Sequence, residues 1–181
     1  MPNTVKKDPL DRSMAHGSNG YEVITGEQII SKTGLHCHDF WQISFFYTPL
    51  RAYAVDDDIY DPVANQMLIV PPYHMHGILP SENGGFYERT HFNLSSEFLH
   101  LAGARQIDFE QLLHKYTAGN HYLFPIDPAD CAFCRAELEA VAKEDDHSDS
   151  WKRFCAVSHI FPVLRIIVRR SSASSKFSSL L

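Results

Sequence analysis

The sequence has few cysteines, no long apolar run and no signal peptide. Its four cysteines, at positions 37, 131, 134 and 155, do not form a pattern typical of a disulfide framework, which favours free thiols in a reducing compartment. No apolar run approaches the roughly 18 residues that a membrane-spanning helix needs. The polar residues 1–20 lack the apolar core of a secretory signal. We therefore expect a cytoplasmic protein with no membrane partner.

Basic residues are also too few for a nucleic-acid surface. The chain has 16 Lys and Arg against 22 Asp and Glu, a formal net charge of −6. Because phosphate binding needs a basic face, this segment itself is not expected to bind DNA or RNA. The sequence also has no Gly-rich phosphate loop, no G-x-S-x-G and no H-E-x-x-H. The familiar motifs of nucleotide binding, serine hydrolysis and zinc proteolysis are therefore absent.

What the sequence does contain is a series of short β-type segments. With 181 residues and 44% hydrophobic content, it suits one domain, or one domain with a small helical appendage. Short aromatic and β-branched runs alternate with turn signals from Tyr21 to Leu94. The segment Phe40–Tyr47 is the strongest predicted strand, and Met67–Val70 is a buried strand that ends at two prolines. Closely spaced short strands indicate an all-β barrel or sandwich.

After Leu94 the apolar period becomes helical. Ser95 or Ser96 can cap a first short helix, Asp108 a second, and Asp127 or Asp130 a longer one. The longer helix has apolar residues at steps of three and four, namely Cys131, Cys134, Leu138 and Val141. A second long helix is expected to start near Asp149 or Ser150, and Pro162 is expected to kink or break it.

Histidines and one amide form the main candidate site. His36, His38 and Gln42 are separated by even steps, so in a strand their side chains point to one face, and His76 can join them from another strand. Imidazole nitrogens and an amide oxygen could hold a divalent transition metal such as Zn, Ni, Fe or Mn. Two alternatives remain open. The same groups could hydrogen-bond an organic ligand without metal, or simply pair with one another.

Aromatic side chains could complete a ligand pocket around this site. Phe46, Tyr53, Tyr60 and Phe92 are the candidates, although most aromatic residues in β-proteins belong to the core. Trp41, Phe45 and Tyr47 each lie an odd number of positions from Gln42, so in a strand these three point to the opposite face. They are therefore expected to pack between the β-structure and the helices.

The histidine motif resembles that of a known group. The stretch His36-x-His38-Asp39-Phe40-Trp41-Gln42-Ile43, the hairpins after it, and the segment Leu68–Pro72 with His76 resemble the N-terminal sensor domain of AraC-family transcriptional regulators. The resemblance implies a mainly β cupin fold, a double-stranded β-helix barrel, followed by a C-terminal antiparallel helix pair. Cupin motifs supply two histidines and a glutamate, then another histidine, which fall on His36, His38, Gln42 and His76. The sequence departs from this pattern in Gln42, which replaces the glutamate, and in Pro80, where asparagine is frequent.

Composition and resemblance together divide the chain into four parts. We expect a flexible N-terminal arm over residues 1–19, a cupin β-barrel sensor domain over 20–125, a dimerising helical hairpin over 126–170 and a serine-rich linker over 171–181. The expected residues of a homodimer contact are Leu138, Val141, Phe154, Phe161 and Leu164.

The expected function is that of a sensor rather than an enzyme. The resemblance implies that a small-molecule effector binds in the barrel and that DNA is bound only through a further C-terminal domain, which these residues do not include. Two alternatives are kept. One is a metal-dependent cupin enzyme, a dioxygenase or isomerase with iron or manganese on His36, His38 and His76. The other is a stand-alone cupin that binds a metabolite.

Overall fold

The computed structural model describes residues 20–29, 34–79, 86–104, 106–144 and 150–177. The predicted N-terminal arm and Pro80 lie outside the described residues. The described strands, in chain order, are β1 (Tyr21–Ile24), β2 (Glu27–Ile29), β3 (Trp41–Phe46), β4 (Tyr53–Val55), β5 (Asp58–Tyr60), β6 (Gln66–Val70), β7 (His76–Ile78), β8 (Phe86–Leu94) and β9 (Leu123–Pro125). The helices are α1 (Ser96–Ala102), α2 (Phe109–Tyr116), α3 (Pro128–Glu144) and α4 (Ser150–Phe177).

The strands form two antiparallel sheets. The main sheet has the order β1-β8-β3-β6-β9, with β2 also pairing with β8, and the small sheet has the order β5-β4-β7. The mainly β architecture with a C-terminal helix pair is confirmed. No closed barrel is found among the residues that the structure describes, so the double-stranded β-helix stays a prediction.

Alternation along β3 divides the main sheet into two faces. Trp41, Ile43 and Phe45 belong to the large core cluster that also contains the helix residues, and we call this side the outer face. Phe46 belongs instead to a second cluster with residues of the small sheet. We call that side, which also carries Gln42 and Ser44, the inner face. The predicted packing of Trp41 and Phe45 against the helices is confirmed.

Side-chain caps start the helices where the sequence predicts. The Ser95 hydroxyl accepts from the N–H of Phe98 at 3.1 Å, and the Asp108 carboxylate accepts from the N–H of Gln111 at 2.8 Å. At the start of α3, Asp127 accepts from the N–H of Ala129 at 2.9 Å. Each cap satisfies a backbone donor that has no partner within its own helix.

The two long helices form an antiparallel pair on the outer face. Arg169 bonds Asp130, and His159 bonds Glu137, so residues late in α4 meet residues early in α3. The apolar stripe of α3 is buried in the same cluster as the outer face, together with residues of α4. Its members are Cys131, Cys134, Leu138 and Val141. The two cysteines are therefore core residues and are not in a disulfide.

Helix α4 differs from two predictions. It continues through Pro162 without the break that was one of the expected outcomes. Burial of Ile160, Val163 and Ile167 on the same helix favours the helical state, which offsets the hydrogen bond that proline removes. The helix also runs on to Phe177, into the segment predicted as a linker from residue 171. Serine is only a mildly poor helix former, so an existing helix can extend into such a segment.

The predicted dimer contact is wrong for three of its five residues. Leu138, Val141 and Leu164 are buried in the core of their own chain, where no second copy can reach them. They pack in the cluster that α3 and α4 share with the outer face of the main sheet. Phe154 and Phe161 are exposed.

Candidate metal and ligand site

Backbone pairing brings His36 to His76. The N–H of His36 donates to the carbonyl of His76 at 2.9 Å, and the N–H of His76 donates back at 2.8 Å. Residues paired in this way across an antiparallel ladder present their side chains on the same side. Gly77 permits the close approach, because a Cβ there would lie 3.1 Å from the carbonyl oxygen of Gly34.

Three imidazoles converge at this point, which we call the histidine site. One ligand nitrogen from each of His36, His38 and His76 lies within 4.8 Å of the other two. Ring centroids are 4.5 Å apart for His36 and His76, and 4.6 Å apart for His38 and His76. In a zinc site with bonds of about 2.0–2.1 Å, neighbouring nitrogens are about 3.3 Å apart. Small side-chain rotations would therefore bring all three nitrogens to one ion.

Backbone carbonyls fix which nitrogen of each ring has the lone pair. A carbonyl oxygen only accepts, so the ring nitrogen that faces it must carry the proton. In all three rings that nitrogen is Nδ1, and the pairs are His36 with Gly34 O at 3.5 Å, His38 with Phe40 O at 3.0 Å and His76 with His74 O at 2.8 Å. In the neutral imidazoles Nε2 therefore keeps its lone pair. Protein metal sites commonly orient their histidine ligands in this way.

His76 is the most buried member of the site. Its Nε2 has no hydrogen-bond partner in the described part of the chain, and a buried polar atom of this kind costs about 1–3 kcal/mol. Burial lowers the pKa of His76 to about 3 and outweighs the opposing effect of the hydrogen bond to His74. The nearby rings of His36 and His38 and the charge of Arg89 lower this pKa further. The imidazole is thus neutral, which is the form that binds a metal.

Gln42 completes a donor set. Its Oε1 lies 3.4 Å from Nε2 of His38, while its Nε2 donates to the hydroxyl of Tyr53 at 2.9 Å. With His38 protonated on Nδ1, both atoms of the first contact are acceptors. A cation between them would satisfy both. The three imidazoles therefore fit a divalent metal, and the amide oxygen of Gln42 lies beside one of them.

The loop before His76 is held by Asp56. Its Oδ1 accepts from the N–H of Met75 at 3.0 Å, and its Oδ2 pairs with Nδ1 of His74 at 2.5 Å. Because the carbonyl of His74 fixes the His76 ring, Asp56 acts on the site through the backbone. The side chain of His74 is part-exposed, and its backbone carbonyl accepts from Nδ1 of His76.

The four aromatic candidates for the ligand pocket lie in different surroundings. Phe46 and Tyr53 are buried between the two sheets, and Tyr53 contacts Gln42 directly. Phe92 does not line the inner face, because it pairs with Ile43 in register and belongs to the helix-facing cluster. Tyr60 is half-buried and donates to the carbonyl of Asn120 at 3.1 Å. No contact described for Tyr60 joins it to the histidines.

Sequence reasoning missed the polar face of β8. The β3–β8 register pairs Gln42 with Asn93, Ser44 with His91, and Phe46 with Arg89, and the polar members of these pairs are buried. The hydroxyl of Ser44 lies 2.9 Å from Nδ1 of His91, and burial holds the pKa of His91 well below its usual range. The signal was present as polar residues at the alternate positions 89, 91 and 93 of the strand.

Comparisons with known proteins assign no family to this chain. No protein-family model matches the chain, and no curated protein matches it. One similar solved structure is the "Crystal structure of the AraC-like transcriptional activator CuxR", at 10% identity and a TM-score of 0.44. The match covers 71% of this chain and 42% of that one, so the chain spans less than half of that protein. Within the described residues, no helix has the length and apolar character needed to cross a bilayer.

Proposed function

We propose that this chain is the ligand-sensing and dimerisation domain of an AraC-type transcriptional regulator. A small-molecule effector binds at the histidine site, and a divalent transition metal (Zn, Ni, Fe or Mn) is held there by His36, His38, His76 and Gln42. The observation that carries the site is the buried lone pair of His76, which faces two further imidazoles within 4.8 Å. The regulatory role is supported by the resemblance of the histidine motif and by the order of elements, β-sheets first and a helix pair after them.

The donor set explains why an effector would bind next to the metal. Three neutral imidazoles and an amide oxygen contribute no negative charge, so a bound dication keeps its full charge and attracts an oxygen donor from a ligand. The metal would thus supply an electrophilic anchor for the effector. The protein's own part is to hold the rings in one tautomer and to exclude water by burial.

The site lies where movement can be transmitted. His76 and Tyr53 belong to the small sheet, whereas Gln42 belongs to the main sheet, whose outer face carries the helix pair. A ligand that contacts both sheets can favour one relative position over another. Such a shift requires different affinity for the two states, not merely tight binding. The histidine site and the helix pair are therefore coupled through β3.

The proposed homodimer uses the exposed face of α4. Trp151, Phe154 and Phe161 are 68%, 61% and 45% exposed, and they follow one another at helical steps of three and seven. The rings of Trp151 and Phe154 stack at 5.5 Å. Light scattering after size exclusion tests this contact. Phe154→Asp should give a folded monomer, whereas the matched control Leu101→Asp, at an equally exposed leucine of α1, should remain a dimer.

Metal content per chain tests the site. After chelation and reloading with zinc, the wild-type chain should hold close to one ion, and His76→Ala should hold none at the same free zinc concentration. His100→Ala, at an exposed histidine of α1, is the control and should bind like the wild type. Equal metal content in all three proteins would contradict the proposed site.

A metal-dependent cupin enzyme, a dioxygenase or isomerase, is the second candidate. It is favoured by the donor set itself. Four protein ligands leave one or two coordination positions open on a metal that prefers five or six ligands. Oxygen uptake by the iron-loaded chain with candidate substrates distinguishes the two. Turnover would favour the enzyme, whereas stabilisation by one small molecule without turnover would favour the sensor.

A further inference from the structure

Asn93 is a buried amide on the inner face of the main sheet. It lies on β8, and the strand register places it between Glu22 of β1 and Gln42 of β3. Only 4% of Asn93 is exposed, whereas Glu22 is an exposed residue. Side chains that stand opposite each other on neighbouring antiparallel strands share one face of the sheet. Asn93 therefore belongs to a row of polar side chains that leads from the surface at Glu22 to Gln42.

Glu22 determines which way the amide of Asn93 points. Nδ2 of Asn93 donates to Oε2 of Glu22 at 2.9 Å. An ionised carboxylate only accepts, so the NH₂ group must face Glu22, and the carbonyl oxygen Oδ1 cannot take its place. This Oδ1 is buried and has no hydrogen-bond partner in the part of the chain that the structure describes. A buried acceptor left in this state costs about 1–3 kcal/mol, which a proton donor from a ligand would recover.

Gln42 connects Asn93 with the histidine site. The Cβ atoms of two residues that stand opposite each other, such as Gln42 and Asn93, are about 4.5–5.5 Å apart. Oε1 of Gln42 in turn lies 3.4 Å from Nε2 of His38. Asn93 is thus one side chain away from the imidazoles. A small molecule bound at the histidine site beside Gln42 would therefore come within reach of Oδ1 of Asn93.

From this arrangement we infer that the effector carries a hydroxyl group, and that this hydroxyl donates its hydrogen bond to Oδ1 of Asn93. The inference rests on the proposed function, because it names a ligand group and a further binding residue of that same site. A hydroxyl whose oxygen is bound to a dication is a stronger proton donor than a free hydroxyl, since the positive charge withdraws electrons from the oxygen. An ether or a ketone has no proton to donate and would leave Oδ1 of Asn93 without a partner.

Calorimetric titration with matched alcohols and methyl ethers tests the inference. The probes are L-lactate with its ether 2-methoxypropanoate, and propane-1,2-diol with its ether 1,2-dimethoxypropane, each on the zinc-loaded chain up to about 50 mM. We expect saturable binding of at least one alcohol, and binding about tenfold weaker for its ether. Binding of lactate alone would support a hydroxy acid, and binding of the diol would support a neutral alcohol. Absence of binding by both alcohols, or equal binding of alcohol and ether, overturns the inference.

Substitution of Asn93 separates the hydrogen bond from the size of the added methyl group. Asn93→Leu keeps the approximate volume but removes the acceptor, so it should weaken alcohol binding about tenfold and leave ether binding within about twofold of the wild type. Gln111→Leu, at an exposed amide of α2, is the matched control and should retain the preference for the alcohol. An unchanged preference in folded Asn93→Leu overturns the assignment. If Asn93→Leu does not fold, Asn93→Ala is measured against the same criterion.

Metal content separates this inference from the proposed function. A wild-type chain that binds zinc but does not distinguish alcohol from ether retains the metal site and refutes the role of Asn93. A chain that holds no zinc, yet prefers the alcohol and loses that preference in Asn93→Leu, supports the role of Asn93 and refutes the metal.

Discussion

Acidification should destabilise the metal-free chain through His76. Burial lowers the pKa of this side chain from 6.5 to about 3 in the folded protein, while the unfolded chain keeps the ordinary value. Between these two values the unfolded state binds a proton that the folded state does not. The free energy of unfolding therefore falls as pH falls. Over the whole interval the effect is about 5 kcal/mol, at 1.36 kcal/mol for each pH unit. This is comparable to the total stability of a typical domain.

Urea unfolding in the presence of a chelator measures this effect. Between pH 6 and pH 4, wild-type stability should decrease more steeply than that of His76→Gln, by about 1.4 kcal/mol for each pH unit. Some slope should remain in the variant, because buried His91 is also held neutral. His100→Gln, at an exposed histidine, should retain the wild-type slope. Parallel pH profiles for wild type and His76→Gln would refute the reasoning.

Three further substitutions test other parts of the structure. Gln42→Glu should tighten zinc binding at least tenfold in competition with a chromophoric chelator, because a carboxylate is the better ligand; weaker binding would place Gln42 outside the donor set. Asp108→Ala should lower the free energy of unfolding by about 1 kcal/mol through loss of the cap of α2, and no change in urea unfolding would contradict that cap. Leu138→Ala should lower it by about 2–5 kcal/mol while the folded variant still binds zinc, since this buried leucine belongs to the helix-facing core; a loss of stability well below that range would contradict its place in that core.

The local features of this fold could be read from the sequence. Alternation in β3 separates Gln42 from Trp41 and Phe45, because successive side chains in a strand point to opposite faces. The caps Ser95 and Asp108 start their helices as expected, since a short polar side chain before an apolar stripe is a local signal. The convergence of the histidines was predicted from strand spacing, but His36 and His38 precede β3 and do not lie in it. His36 reaches His76 through an isolated antiparallel bridge, and a bend at residues 39–40 separates both histidines from Gln42.

Features that depend on pairing between distant segments could not be read in this way. Phe92 was assigned to the wrong face, and Arg89 and His91 were overlooked. The reason is that the register between β3 and β8 decides which of the two alternating sets of β8 side chains faces inward. The stripe of α3 predicts an apolar partner but does not say whether that partner is a second copy or the chain's own sheet. Burial of Leu138 shows that the partner belongs to the same chain, namely α4 together with the outer face of the main sheet.

X-ray absorption spectroscopy of the zinc-loaded chain tests the central claim most directly. Three imidazoles of His36, His38 and His76 bound through Nε2 predict a first shell at about 2.0–2.1 Å with the multiple-scattering pattern of three histidine rings. A zinc ion surrounded by oxygen ligands, with no histidine scattering, would contradict the account.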